Sequence, residues 1–314
     1  AIREARERVR AALKNSGFDF PLKRITVNLA PAMIRKEGAS FDLPIAIGIL
    51  SAVGQVDKRE AEQLVFVGEL SLDGRVQCTP GVLPIAYAMK DLGLNNMIVA
   101  KDNIKEASLI TELNVYGVET LKETVNHING IKRLKRTEQP DINLSGKNLY
   151  DADMKDVAGQ KHAKRVLEIA AAGSHNVLMV GPPGSGKTML ARRFPTILPS
   201  FSLEEALEVT RIYSASGLLP KGSSIVLKRP FRSPHHTVSA AGLVGGGRIP
   251  KPGEVTLAHR GVLFLDELPE FGINSLEALR QPMEDGFTTV VRVQGVATFP
   301  SRFLLLASDL KSEV

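Results

Sequence analysis

Residues 181 to 188 read Gly181-Pro182-Pro183-Gly184-Ser185-Gly186-Lys187-Thr188, the spacing G-x-x-x-x-G-K-T that can cradle a chain of phosphates. Glycines let successive backbone N–H groups converge on phosphate oxygens, and the helix that follows points its positive end at the same anion. Lys187 is placed to reach the β and γ phosphates, Thr188 to offer its hydroxyl to Mg²⁺, and Met189 to join the nucleotide contacts. A second constellation, Asp266-Glu267, ends the apolar run Gly261-Val262-Leu263-Phe264-Leu265. Open α/β sheets hold their ligands at the C-terminal ends of buried strands, where these two carboxylates are expected. Asp266 would hold Mg²⁺ directly or through water, and Glu267 would polarise the attacking water as general base. Alone, such a pair is as often a solvated turn; together with Lys187 it predicts phosphoanhydride hydrolysis.

The elements needed to position these groups are legible around them. A helix is expected from about Lys161 to Ala172, a short apolar strand over Val177 to Val180, then the loop, then a helix through Met189, Leu190 and Phe194. Farther on, Ser275 to Met283 predicts a helix and Phe287 to Pro300 a hairpin carrying Arg292. In the first half, Ala5, Val9 and Leu13 recur at helical spacing, Ile25 to Leu29 alternates as a strand, and Leu43 to Val53 is a buried apolar element. Leu64 to Val67 with Gly74 and Val76 suggests a hairpin, Leu83 to Leu92 a helix, and Met97 to Val99 a strand. The fold class is therefore α/β, with one domain over residues 1–130, a polar linker at 131–150 and a parallel-sheet domain over 151–314.

Composition excludes several classes. The 314 residues, 43% hydrophobic, can bury the cores of two domains. The longest mainly apolar run, Leu43 to Gly54, contains Pro44 and is shorter than the roughly 18 residues a membrane span requires, so no membrane partner is expected. A lone Cys78 cannot form an internal disulfide and no charged-then-apolar leader opens the sequence, which together predict a cytoplasmic protein. The net charge of +6 permits a nucleic-acid partner. It is concentrated in Lys221 to Arg260, where seven Lys and Arg face the single Glu254. The adjacent His235-His236 lack a third ligand at metal spacing and are expected in a polar loop.

At these residues the chain resembles the AAA+ ATPases, and Asp156-Val157-Ala158-Gly159-Gln160 resembles the box that lies against adenine in them, which would place Val157 and Gly159 in the nucleotide site. More specific are Arg229-Pro230-Phe231-Arg232-Ser233-Pro234-His235-His236-Thr237, Gly245-Gly246-Gly247, and Pro252-Gly253-Glu254-Val255-Thr256-Leu257-Ala258-His259. Their combination is similar to the magnesium-chelatase-like ATPases of the ComM/YifB branch. That resemblance covers nearly the whole chain and implies a domain similar to the Lon protease fold ahead of an AAA+ core. It also implies ATP and Mg²⁺ as cofactors, a homohexamer, and a helicase acting on single-stranded or branched DNA to drive branch migration in natural transformation. Arg248 and Lys251 in the glycine-rich insert, and Arg292 in the hairpin, are the candidate DNA contacts. The same core could instead remodel a protein partner or insert a metal.

Lys36-Glu37-Gly38-Ala39-Ser40 resembles the segment that carries the nucleophilic serine of Lon peptidases. The lysine base of those enzymes would fall in Gly81-Val82-Leu83-Pro84, where Leu83 stands in its place, so a scaffold without peptidase chemistry is expected. Two departures limit the resemblance. Ala1 falls inside what resembles the family's first long helix, so earlier strands are expected outside the sequence. After Phe303 to Ala307 the family continues to an Asn-containing sensor, whereas here Ser308-Asp309-Leu310-Lys311-Ser312-Glu313-Val314 follows. The pairs Asp309-Leu310 and Glu313-Val314 resemble a segment well downstream, so an intervening stretch is expected to be missing, and sensor, lid and arginine finger are not assignable.

Overall fold

The computed structural model describes residues 2–30, 38–140, 142, 150–220, 223–247, 250–292 and 295–310. They form two compact units, one from residues 1–142 with 213–225, the other from 143–212 with 226–314.

In the first unit, the strands Val65–Val67, Asn96–Ala100 and Asn114–Val118 form a parallel sheet with Asn96–Ala100 in the middle. That middle strand is apolar and buried from Met97 to Ala100, as a parallel strand covered on both faces must be. The helices Ile2–Asn15 and Asp42–Ala52 bring Val9, Leu13, Leu43, Ile47 and Leu50 into one core with Ile98 and Val118. The helix Leu121–Ile128 starts where the Thr120 side chain accepts the Glu123 N–H, satisfying a donor that the helix itself leaves unpaired.

Two expectations for this unit are corrected. Val65–Val67 is not a hairpin arm, because Gly68 exchanges backbone bonds with Ser40 and Leu43 and redirects the chain. The hairpin is instead Glu69–Leu70 with Val76–Gln77. Ile25 to Leu29 is not a strand: it has no ladder partner among the described residues, and Ile25 and Val27 are exposed. Alternation selects a face, but a strand also needs a neighbour for its N–H and C=O groups.

In the second unit, a four-stranded parallel sheet runs in the order Val177–Gly181, Leu304–Leu310, Val262–Leu265, Phe231–Arg232. Side chains alternate along each strand, so the two faces build two cores. Val262, Phe264, Leu304 and Leu306 pack with Leu167, Leu190 and Phe194 on one face. Leu263 and Leu265 pack with Leu243, Val255, Phe271 and Leu279 on the other. The sheet is thus covered by helices on both sides, with the phosphate-loop strand at one edge. The hairpin Phe287–Arg292 with Gly295–Pro300 forms as expected. The helix expected over Ser275 to Met283 is two short ones, Ile273–Glu277 and Arg280–Asp285. Pro282 lacks the N–H that a continuous helix would use there and is tolerated in the first turn of the second. Among the described residues no helix is long and apolar enough to cross a membrane.

Candidate nucleotide site

The strand Val177–Gly181 delivers the chain to the loop at a sheet end, and the helix Lys187–Arg193 leaves it. Gly184 and Gly186 take φ of +77° and +87°, left-handed values that side-chain-bearing residues rarely adopt. Gly186 caps the helix, so the first helical N–H groups have no partner within the helix and are available to an anion. Lys187 Nζ donates to Gly181 O at 2.7 Å and Pro182 O at 3.0 Å and lies 3.5 Å from Ser185 Oγ, all within the loop.

The strand Val262–Leu265 ends on the same side of the sheet. Thr188 Oγ1 donates to Asp266 Oδ2 at 2.9 Å. Glu267 has φ +56°, left-handed and unusual for a residue with a side chain, and its N–H donates to Ser308 Oγ at 2.9 Å. Pro183 to Met189 together with Asp266 and Glu267 line one cleft of about 350 Å³. Every expected phosphate and catalytic residue from Pro183 onward therefore meets in one place, and Gly181 and Pro182 form the loop's first limb.

The adjoining segment behaves differently. Val157 is buried with Leu190 and Phe194, and its carbonyl accepts from Lys164 Nζ. Gly159 is exposed, and Gln160 Nε2 donates to Ser185 O at 3.1 Å, fastening this segment to the loop. The donor set at Thr188 and Asp266 suits Mg²⁺, which takes hard oxygens and commonly uses one or two protein ligands beside phosphate and water. Among the described residues no group of three or more His, Cys, Asp or Glu gathers as a metal cage.

Ser308 is the residue that sequence reasoning missed. It is fully buried, and its hydroxyl donates to Asp266 Oδ1 at 2.5 Å while accepting the Glu267 N–H. A polar residue following Leu304-Leu305-Leu306-Ala307 was the available signal. Its meaning depended on strand order, since the strand lies between those carrying the loop and Asp266.

The expected DNA contacts are only partly brought together. Arg248 lies outside the described residues, as does Lys221. Gly245 and Gly246 are buried and pair antiparallel with Lys251–Pro252. Arg292 Nη2 lies 3.2 Å from where a Cβ on Gly246 would stand, so exposed Arg292 and Lys251 flank one small surface. Much of the insert's charge is engaged elsewhere. Arg229 donates to Pro199 O, Arg260 O and Glu205 and lies over Phe201. Arg232 pairs bidentately with Glu254, and Arg260 pairs with Glu208. These arginines hold the fold, so this part of the insert's charge is paired within the protein. The His235 and His236 rings are tilted against each other with centroids 4.0 Å apart, and His236 meets Phe271 edge-on.

In the first unit, Leu83, at the place expected for a peptidase lysine, is fully buried, and its N–H donates to Glu106. Ser40 O accepts from Gly68 N–H. Lys36 and Glu37, ahead of Ser40, lie outside the described residues.

Comparison with known proteins agrees with both halves. The family model "Magnesium chelatase, subunit ChlI" matches residues 153–311, and "Subunit ChlI of Mg-chelatase" matches residues 1–103. Competence protein ComM of Haemophilus influenzae is 48% identical over 98% of this chain and 60% of its own length. YifB of Escherichia coli is 45% identical over 98% of this chain and 60% of its own. Lon protease 2 of Bacillus subtilis is 32% identical over 42% of this chain and 25% of its own. The chain thus spans about 60% of the length of the ComM and YifB relatives. With its parallel-sheet nucleotide fold and these matches over nearly all its length, the chain belongs to the magnesium-chelatase ChlI family of AAA+ ATPases, in the branch of ComM and YifB.

Proposed function

We propose that this chain binds and hydrolyses ATP with Mg²⁺ and is the motor core of a hexameric DNA translocase. The carrying observation is the convergence of Lys187 and Thr188 with Asp266 and Glu267 in one cleft at the end of a parallel sheet. Lys187 neutralises the β and γ phosphates after exchanging its contacts with the loop carbonyls for phosphate oxygens. Thr188 and Asp266 hold Mg²⁺, which supplies charge stabilisation to the phosphates when bound. Glu267 orients and deprotonates the attacking water.

DNA as the track is supported by the surface at Lys251 and Arg292 and by the similarity to a protein named for competence. A motor indifferent to sequence grips phosphates, which lysine and arginine suit. Branch migration during transformation and recombination is the process this reading assigns. A second reading, remodelling of a protein partner or metal insertion, is favoured by the engagement of Arg229, Arg232 and Arg260 in ion pairs. ATP turnover measured with and without single-stranded or forked DNA separates the two. Stimulation supports the translocase, whereas a DNA-independent rate favours the second reading. Light scattering of the intact protein with a non-hydrolysable ATP analogue should give a hexamer, since a closed ring needs a heterologous interface.

A further inference from the structure

We infer that Ser308 is a positioning residue for the two carboxylates, setting the Mg²⁺ affinity and the turnover rate of the site while leaving nucleotide recognition to the loop. The inference rests on the proposed ATPase reading. One hydroxyl makes two bonds of opposite sense. Its hydrogen goes to Asp266 Oδ1 at 2.5 Å, and a lone pair accepts the Glu267 N–H at 2.9 Å. Asp266 is thereby gripped at both oxygens, since Oδ2 accepts from Thr188 at 2.9 Å. A carboxylate held at both ends cannot rotate about its terminal bond, so the face it offers to Mg²⁺ is fixed before the ion arrives.

The second bond acts on Glu267. This residue sits at φ +56° and ψ +59°, a left-handed conformation that is strained for a residue with a side chain. Such a conformation persists only where surrounding contacts over-determine it. The Ser308 hydroxyl supplies one of those contacts at the backbone of Glu267 itself. Without it, the N–H loses its partner and the chain after Leu265 is free to relax, turning the Glu267 side chain away from the cleft it lines.

The position of Ser308 makes the arrangement rigid. Its strand, Leu304–Leu310, lies between the loop strand and the Asp266 strand, with Ser308 opposite Met179 on one side and Ala307 opposite Leu265 on the other. Ser308 is fully buried, so its hydroxyl makes these bonds from inside the sheet, and losing it leaves the Glu267 N–H without this partner. It touches neither the phosphate loop nor the helix behind it through any of these bonds.

The test compares wild type, Ser308→Ala and Lys187→Ala in the intact protein. Binding of a fluorescent ATP analogue is titrated with Mg²⁺, and ATP turnover is measured at saturating Mg²⁺. Losing an outer partner of a metal ligand commonly costs about 10–100-fold in metal affinity or activity. Ser308→Ala should therefore need about tenfold more Mg²⁺ for half-maximal analogue binding. Its kcat should fall about tenfold or more with KM within about twofold. A lower melting temperature with unchanged Mg²⁺ midpoint and kcat would make Ser308 a packing residue only and overturn the inference. If wild type neither binds nor hydrolyses ATP, or if Lys187→Ala matches it, the ATPase reading fails and the role of Ser308 falls with it. Lys187-dependent hydrolysis that Ser308→Ala leaves intact sinks the inference alone.

Discussion

Thr188 Oγ1 donates to Asp266 Oδ2 at 2.9 Å, joining two residues that stand 78 positions apart in the chain. The bond ties the helix after the phosphate loop to the end of the strand Val262–Leu265. It places a hydroxyl and a carboxylate where one Mg²⁺ ion would use both.

Lys187→Ala and Glu267→Gln should separate binding from hydrolysis. In the proposed mechanism Lys187 carries charge to the phosphates, whereas Glu267 acts on the attacking water. Equilibrium binding of labelled ATP should weaken in the first. In the second it should persist while turnover falls about a hundredfold or more, the scale of a lost positioned base. Wild-type hydrolysis by Glu267→Gln would remove this residue from the chemistry.

Lys251→Ala with Arg292→Ala should weaken DNA binding about equally across sequences. If the two groups contact phosphates, each loss should flatten the log–log salt dependence by roughly 0.7 to 0.9. ATPase activity without DNA should survive, since neither residue lines the nucleotide cleft. Unaltered affinity and slope by fluorescence anisotropy would exclude this surface.

Ser40→Ala should leave ATP turnover and DNA binding unchanged if the first unit is a scaffold, as the buried Leu83 at the place expected for the peptidase lysine implies. Labelling of Ser40 by a serine-directed phosphonate, checked by mass spectrometry, would contradict this.

Gly261→Ala should destabilise the second unit. A Cβ there would stand 2.1 Å from Pro230 O, the carbonyl that accepts the Val262 N–H at 2.8 Å where the strands Phe231–Arg232 and Val262–Leu265 meet. Overpacking of this kind costs about 1–3 kcal/mol, readable as a lower urea midpoint. An unchanged midpoint would show that the two strands separate freely.

Stability should also fall in mild acid. Burial pushes the His259 imidazole below its ordinary pKa, against the opposing pull of Glu208, and burial with nearby Arg133 does the same at His127. His259 Nδ1 accepts the Arg302 N–H and His127 Nδ1 accepts the Leu134 N–H, bonds available only to the neutral ring. Both folded pKa values lie below the unfolded value of about 6.5, so the unfolded chain takes up protons first as pH falls. Their contribution is complete above about pH 6.5 and is lost progressively below it. Thermal midpoints between pH 7.5 and 5.5 should decline in wild type and decline less in His127→Gln/His259→Gln. Equal slopes would refute the assignment.

The sequence by itself determined the phosphate loop, the Asp266-Glu267 pair and their flanking elements, because each is local. Glycine spacing, a continuous apolar run and a following helix are properties of a dozen neighbouring residues. The failures at Ile25 to Leu29 and at the Leu64 hairpin are those of pairing: alternation selects a face, whereas the neighbouring strand is chosen by contacts distant in sequence. Charge in the insert was countable but not its use, since Arg229, Arg232 and Arg260 meet Glu205, Glu254 and Glu208 only after folding. Ser308 makes the same point at the site. Its hydroxyl acquires meaning from a strand order in which residues 181, 266 and 308 converge, and only the tertiary structure decides that order, because parallel neighbours are joined by long crossovers.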